Sequence, residues 1–196
     1  KQYLKSALIR LARSREYELI PVWSFDRQPL ARHLSAIFKR YSVDCVFDVG
    51  GNLGQYHDLL RDDVKFKGLI FSFEPVSKYV DILRNKSKFD QKWRIFDFAL
   101  GSSDSLTKIN LTKSPGLNSF LQPRTDVVKD FWTAGAITGT EQVKIQVLDS
   151  IFEDLRSRYG FRAPYLKLDT QGFDFEVLKG AKQSLREFRA LQTEAS

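Results

Sequence analysis

The chain has 196 residues with 31 Lys+Arg, 24 Asp+Glu, one Cys and 16 Phe, which suits a single α/β-sized domain and excludes global disorder. The lone Cys45 excludes a disulfide framework and a thiolate zinc site and points to a reducing, cytoplasmic compartment. Of the formal charge of +7, residues 1–40 carry +6, from nine bases against three acids, so the basicity belongs to the N-terminal segment and argues against a nucleic-acid-binding domain.

Leu4, Leu8 and Leu11 recur at helical spacing with Lys5, Arg10 and Arg13 off that stripe, which predicts an amphipathic helix over residues 3–13. A second helix is predicted over 29–41, where Leu30, Leu34, Ile37 and Phe38 share a face and Pro29 suits a first turn. Residues 45–50 are then almost wholly apolar and end in Gly-Gly, the pattern of a strand buried on both faces. The unit recurs at 69–74, closed by Pro75 and followed by a helix carrying Tyr79, Val80 and Leu83. It recurs again at 94–100, ended by Gly101, and at 165–169, where the following helix presents Phe175, Leu178 and Leu185 on one face. Strands alternating with helices predict a Rossmann-like, mostly parallel sheet with helices on both faces.

Between the third and fourth strands, residues 106–111 and 143–148 alternate apolar and polar side chains, which predicts half-solvated strands paired antiparallel at an edge. Residues 112–140 read as mostly loop, an insertion long enough to serve a site. A fifth strand opens over 190–195. With no Met at position 1, this suggests a fragment lacking C-terminal strands. His33 and His57 fit no metal spacing, so no metal site is expected. His33 is read as solvated, His57 as surface or just behind the site, and Cys45 as strand core.

Residues 46–56 read V-F-D-V-G-G-N-L-G-Q-Y. Gly50, Gly51 and Gly54 remove side chains where strand turns to helix, so a ligand can approach the main chain around Asn52 and the helix N-terminus. Glu74 follows Gly54 by 20 residues, the separation at which an acid reaches ribose hydroxyls in nucleotide-binding βαβ units. The turn lacks both G-x-G-x-x-G and G-K-[ST], which counts against a dinucleotide and against a phosphate-cradling loop. Asp48, two residues before the glycines, suits a ligand ammonium group, met directly or through water. S-adenosylmethionine, a nucleoside with a cationic amino-acid tail and no phosphate, fits this layout.

From about Phe25 onward the chain resembles the FkbM-type branch of class I S-adenosylmethionine-dependent methyltransferases. The matching residues are D-V-G-G-N-L-G-Q-Y at 48–56, F-E-P at 73–75, A-L-G at 99–101 and N-S-F-L at 118–121. They continue with G-T-E-Q-V-K-I-Q-V-L-D-S at 139–150 and, most specific, K-L-D-T-Q-G-F-D-F-E-V-L-K-G-A at 167–181. Asp174 stands where Glu is usual in that family. The resemblance implies a methyltransferase domain over 43–196, C-terminally incomplete, behind a basic helical segment at 1–42. It implies that Asp48 with the loop from Gly50 to Gly54 holds the methionine moiety and that Glu74 takes the ribose diol. Asp97 or the backbone at Ala99 would meet the adenine.

The implied reaction is methylation of a hydroxyl on a sugar, glycan or glycosylated small molecule, with an acceptor oxygen attacking the sulfonium methyl. Asp169 is the candidate base or acceptor-orienting group. Gln171 and Asp174 are weaker candidates, and Asn118 and Ser119 on the insertion would line the acceptor pocket. Two other classes are an RNA or DNA methyltransferase, supported by charge alone, and a non-catalytic nucleoside-binding domain. The bases lack interleaved aromatic residues and no nucleic-acid module is recognisable, which counts against the first. The basic N-terminus suits docking on an anionic membrane surface or a partner.

Overall fold

A computed structural model describes residues 26–121 and 136–193; the helix expected over 3–13, residues 122–135 of the expected loop and the last three positions lie outside them. Helix α1 (Gln28–Tyr41) starts with Pro in its first turn and buries Ala31, Leu34 and Phe38 along one stripe. Strand β1 (Cys45–Val49) follows, with every residue buried. A glycine turn leads into the short α2 (Gln55–Asp58), which continues as a π-helical turn at Leu59–Asp63. Then come β2 (Leu69–Phe73), α3 (Ser77–Ser87) and β3 (Trp93–Phe96). After β3 the chain forms β4 (Ala99–Leu100), β5 (Ser105–Thr112), β6 (Ile137–Gln146) and α4 (Leu148–Tyr159). It returns through β7 (Pro164–Leu168), α5 (Asp174–Lys179) and β8 (Ala190–Thr193).

The main sheet has the order β3-β2-β1-β7-β8 with every pair parallel. The connections run outward on opposite sides of the sheet centre, so a crevice opens between the carboxyl ends of β1 and β7, the place where open α/β sheets bind ligands. Alternate residues of the central strands feed two cores. Cys45, Phe47 and Val49 pack with Phe71, Leu166 and Leu168 against Phe152 and Leu155 of α4. Val46, Ile70 and Tyr165 pack on the other face against Leu34 and Phe38 of α1 and Leu83 of α3. Helices therefore cover both faces, as the apolar runs predict. Among the described residues no helix is long and apolar enough to cross a membrane.

The apolar run at 94–100 is not one strand. It leaves the main sheet after Phe96, passes through exposed Asp97, and enters a second sheet at Ala99. That second sheet has the order β4-β6-β5, parallel between β4 and β6 and antiparallel between β5 and β6. The two alternating strands thus pair antiparallel as expected, but on a sheet of their own. The run expected to end at residue 148 gives way at Gln146, and Leu148 opens α4, burying Leu148, Phe152 and Leu155 at helical spacing.

The helix after β7 is short, and Phe175 points outward at 66% exposure while Val177 and Ala181 are buried. The backbone at Gly180 comes too close to Gly101 for any side chain, a Cβ there lying 1.9 Å from the Gly101 carbonyl oxygen. Val177, not Phe175, faces the core. Leu185 lies beyond it in a separate 3-10 turn at Ser184–Glu187.

Asp149, in the first turn of α4, ties this region together by accepting the Gln183 N–H at 2.9 Å and the Ser184 N–H at 2.8 Å. Burial works to raise its carboxyl, but the Ser184 hydroxyl and these two amides outweigh that and hold it below the ordinary range. We predict that Asp149→Ala lowers stability by about 1–2 kcal/mol at pH 7. A depressed folded-state pKa stabilises only above the unfolded value, so urea midpoints of variant and wild type converge as pH falls below the usual carboxylate range.

Candidate functional site

The crevice is built first by backbone. Past β1, Gly50 adopts φ +85, and a Cβ there would lie 2.0 Å from the Asp169 carbonyl oxygen. Both the conformation and the closeness of β7's exit demand glycine. The Gly50 and Gly51 N–H groups both donate to the Phe73 carbonyl, at 3.0 and 3.1 Å, which pins the turn to the end of β2. Asn52, also left-handed at φ 46, donates its N–H to Glu74 Oε2 at 2.8 Å, while Oε1 accepts the Val76 N–H at 3.0 Å. Glu74 is only 5% exposed. Burial pushes its carboxyl up to about 7 against the pull of the two amides, with Asp48 adding to the rise and Lys167 opposing it.

Above this floor lies a pocket with about 630 Å³ of empty space, part of it open to solvent. Phe73, Leu100, Ile109, Phe120 and Phe173 make apolar walls, and the Phe120 and Phe173 rings meet with centroids 4.5 Å apart. Glu74, Asn52, Asn118, Asp169, Thr170 and Gln171 supply the polar groups. Both charged lining residues are carboxylates, and no Lys, Arg or His lines the pocket among the described residues. Asn118 Oδ1 must accept from the Thr112 N–H at 2.8 Å, which fixes its amide and leaves Nδ2 buried without a partner. Asn52 Oδ1 is likewise buried and unpartnered. Native proteins leave few such groups unpaired, and here they border a cavity.

Asp169 sits just past β7 with its side chain 32% exposed. Its Oδ1 accepts from Gln171 Nε2 at 2.9 Å and its Oδ2 lies 3.4 Å from Lys167 Nζ. Gln171, at φ 52, turns the chain back over the pocket. The structure thus brings together Gly50, Asn52, Glu74, Ala99, Asn118, Asp169 and Gln171.

The other expected site residues lie elsewhere. Asp48 is fully buried below the floor, accepting from Ser72 Oγ at 2.9 Å and ion-paired with Lys167 Nζ at 3.0 Å, so a lysine of this chain occupies the cationic position beside it. Gly54 leaves room for packing, since a Cβ there would meet Trp93 at 2.9 Å. Ser119 donates to the Gln171 carbonyl at 2.8 Å and so braces the pocket rim without lining the pocket. Asp174 accepts the Thr170 N–H at 2.9 Å and the hydroxyls of Thr170 and Thr193, fixing the exit of β7. His57 is buried, stacked on Trp93 at 3.6 Å and held between Asp58 and Asp90, and does not line the pocket.

Asp97 is 60% exposed and paired with Arg84 at 2.8 Å. It takes no part in the pocket, whereas Ala99 does. An exposed pair contributes little. Asp97→Ala is therefore predicted to change cofactor affinity less than about twofold by calorimetry.

Lys167, Phe120 and Phe173 are further residues of the site region that sequence reasoning left without a role. For Lys167 a signal existed, because it stands two residues before Asp169 on a strand and so shares its face. Among the described residues no group of His, Cys, Asp and Glu is arranged to hold a metal ion.

A family model described as the methyltransferase FkbM domain matches residues 48–196. No curated protein matches the chain. Among solved structures, a methyltransferase FkbM from Methylobacillus flagellatus KT superposes with a TM-score of 0.50 at 16% identity, over 78% of this chain. That alignment covers 33% of the other protein, so the present chain spans about a third of its length. At this identity the likeness concerns the fold.

Proposed function

The chain belongs to the methyltransferase FkbM domain family, and from that premise we propose that it transfers the methyl group of S-adenosylmethionine to a hydroxyl of a sugar or glycosylated small molecule. The observation that carries this reading is the pocket's charge pattern. Among the described residues Glu74 and Asp169 line it and no basic side chain does, which suits a cationic, phosphate-free nucleoside and disfavours a nucleotide.

The residues present fit the cofactor. Gly50 leaves the turn open to a ligand, and the buried Glu74 carboxylate has acceptor capacity beyond the two amides it holds. The apolar wall of Phe73, Ala99 and Leu100 suits a purine face. The unpartnered Asn52 Oδ1 and Asn118 Nδ2 offer one acceptor and one donor to ligands at the same cavity. When bound, S-adenosylmethionine supplies a methyl group on a sulfonium centre, already activated for attack by an oxygen nucleophile.

The protein's part is then to align and to accept a proton. Asp169 has its Oδ1 engaged by Gln171, while Oδ2 meets only the long Lys167 contact and is the atom assigned to receive the acceptor hydroxyl's proton. Holding the acceptor against the pocket wall converts the encounter into an effectively intramolecular step. Asn118, the Phe120 and Phe173 pair and Gln171 form the side on which an acceptor would rest.

The test is transfer of labelled methyl from S-adenosylmethionine to a panel of nucleotide sugars, glycans and small hydroxylated compounds, with RNA and DNA as comparison substrates. Label in a sugar hydroxyl supports the reading; label confined to nucleic acid, or none in any acceptor, defeats it.

A further inference from the structure

One row of side chains is polar across four of the five strands of the main sheet, giving way to Ile95 on β3. Strand register sets Ser72 of β2, Asp48 of β1, Lys167 of β7 and Gln192 of β8 side by side. The same face otherwise carries apolar Val46 and Ile70. Hydrogen bonds hold the two ends of the row, and an ion pair between Asp48 and Lys167 joins its middle. Trp93 Nε1 donates to Ser72 Oγ at 2.9 Å, and Ser72 Oγ donates to Asp48 Oδ2 at 2.9 Å. The hydroxyls of Tyr56 and Tyr165 donate to Gln192 Oε1 at 3.0 and 3.2 Å.

At its centre lies Lys167, only 5% exposed, with Nζ 3.0 Å from Asp48 Oδ1 and 5.2 Å from the centroid of the Tyr56 ring. The same ammonium donates to the Gly50 carbonyl at 3.3 Å and lies 3.4 Å from Asp169 Oδ2.

A buried ion pair is a weak device for stability. Removing both charges from water costs desolvation that their attraction seldom repays in full, and packed apolar side chains of similar volume are often as stable or more so. A row of valines and leucines would complete this core at least as well. What an apolar row could not do is reach upward, because Lys167 contacts both the turn after β1 and the carboxylate after β7. Residues of both segments line the pocket.

We propose that Lys167 is the positioning residue of this site: anchored on Asp48, its ammonium holds the Asp169 carboxylate and the Gly50 carbonyl in one arrangement. The inference deepens the reading of Asp169 and the Gly50 turn as working parts of a methyltransferase site and rests on it. Lys167 is buried and stays charged. Burial works to lower the proton affinity of its ammonium, but Asp48 and Asp169 outweigh that and leave it above the ordinary lysine value. It therefore serves as a fixed cation and not as a base. Register explains why this position was available. Lys167 stands directly across from Asp48 in the parallel β1–β7 pair, and Asp169 follows two residues later on the same face.

Lys167→Met alone strands a buried carboxylate and is expected to unfold, so the substitution is made in an Asp48→Asn background and compared with Asp48→Asn by itself. Three quantities are measured: the unfolding temperature, amide hydrogen exchange over residues 50–54 and 169–172, and kcat with KM for methyl transfer.

The expected result is an unfolding temperature equal to or above that of Asp48→Asn, with faster exchange confined to the two segments. Turnover is expected to fall about 10–100-fold, the scale of a small misplacement of reacting groups, while KM for the cofactor changes far less. Unchanged exchange in both segments overturns the inference, and so does unchanged kcat in an active background. Exchange is read on the ligand-free protein. A wild type that transfers no methyl group therefore sinks the proposed function while the exchange comparison still decides the role of Lys167.

Discussion

Asp169→Asn is expected to lower methyl-transfer turnover by about 10²–10⁴-fold, the usual range for loss of a positioned base, while leaving affinity for S-adenosylhomocysteine within about twofold. The substitution keeps the shape of the side chain and keeps an oxygen to accept from Gln171 Nε2, now 2.9 Å from Oδ1. It removes the charge, and with it the capacity of Oδ2 to take a hydroxyl proton. Oδ2 has Lys167 Nζ near it, at 3.4 Å, and Lys167 is buried, so the exposed edge of the carboxylate is open to an acceptor. Single-turnover transfer with labelled cofactor, alongside calorimetry, separates the two effects. Retained turnover on the true acceptor would remove Asp169 from the chemistry and direct attention to Gln171 and Thr170, which line the same rim.

The second large effect falls on binding. Glu74→Ala deletes a buried carboxylate at the carboxyl end of β2, and the loss of a charge-assisted hydrogen bond should weaken cofactor binding by roughly 1.5–3 kcal/mol, about tenfold to a hundredfold. The wild type carries a pH signature that the variant lacks. Burial raises the Glu74 carboxyl to about 7, opposed by the Val76 and Asn52 amides. The ionised form is thus the minority form below pH 7.

If only that form accepts the ribose hydroxyls, apparent affinity should be about tenfold weaker at pH 6 than at pH 8, following the fraction of competent protein. The stability of the ligand-free protein runs the other way. A carboxyl whose folded pKa is raised binds its proton more tightly in the folded state, so Glu74 makes the fold progressively less stable as pH rises from about 4.5 to about 7. Calorimetric titrations at three pH values check the first statement, and unfolding of the ligand-free wild type against Glu74→Ala checks the second. A flat affinity profile in the wild type would mean that Glu74 does not contact the ligand as a carboxylate.

Much of this site is legible in the amino-acid sequence. Gly50, Asn52, Glu74 and Asp169 each stand within a few residues of a strand's carboxyl end, and wholly buried parallel strands leave continuous apolar runs that mark those ends. Helix α4 is absent from the elements expected above: Leu148, Phe152 and Leu155 recur at helical spacing, but its first residue overlaps the tail of an alternating strand pattern, which claimed it for β6. The break after Phe96 is not legible. Ile95, Phe96, Phe98 and Ala99 are equally apolar on either side of it, and only pairing of Ala99 and Leu100 with Ile145 and Gln146 assigns the second half to another sheet.

Asp48 and Asp97 show the same division. Each lies at or just past a strand end in the sequence, where an acid serves equally as ligand group, buried counter-ion or surface charge. Asp48 became a buried counter-ion because register sets it opposite Lys167, 119 positions later, and Asp97 became a surface charge beside Arg84. Periodicity and turn chemistry act over a few residues, so the parallel sheet, its two covered faces and the glycine turn are readable from the order of amino acids alone. Which carboxylates face the pocket and which are already neutralised follows from the fold, because partners are set by strand register and helix packing between segments far apart in the chain.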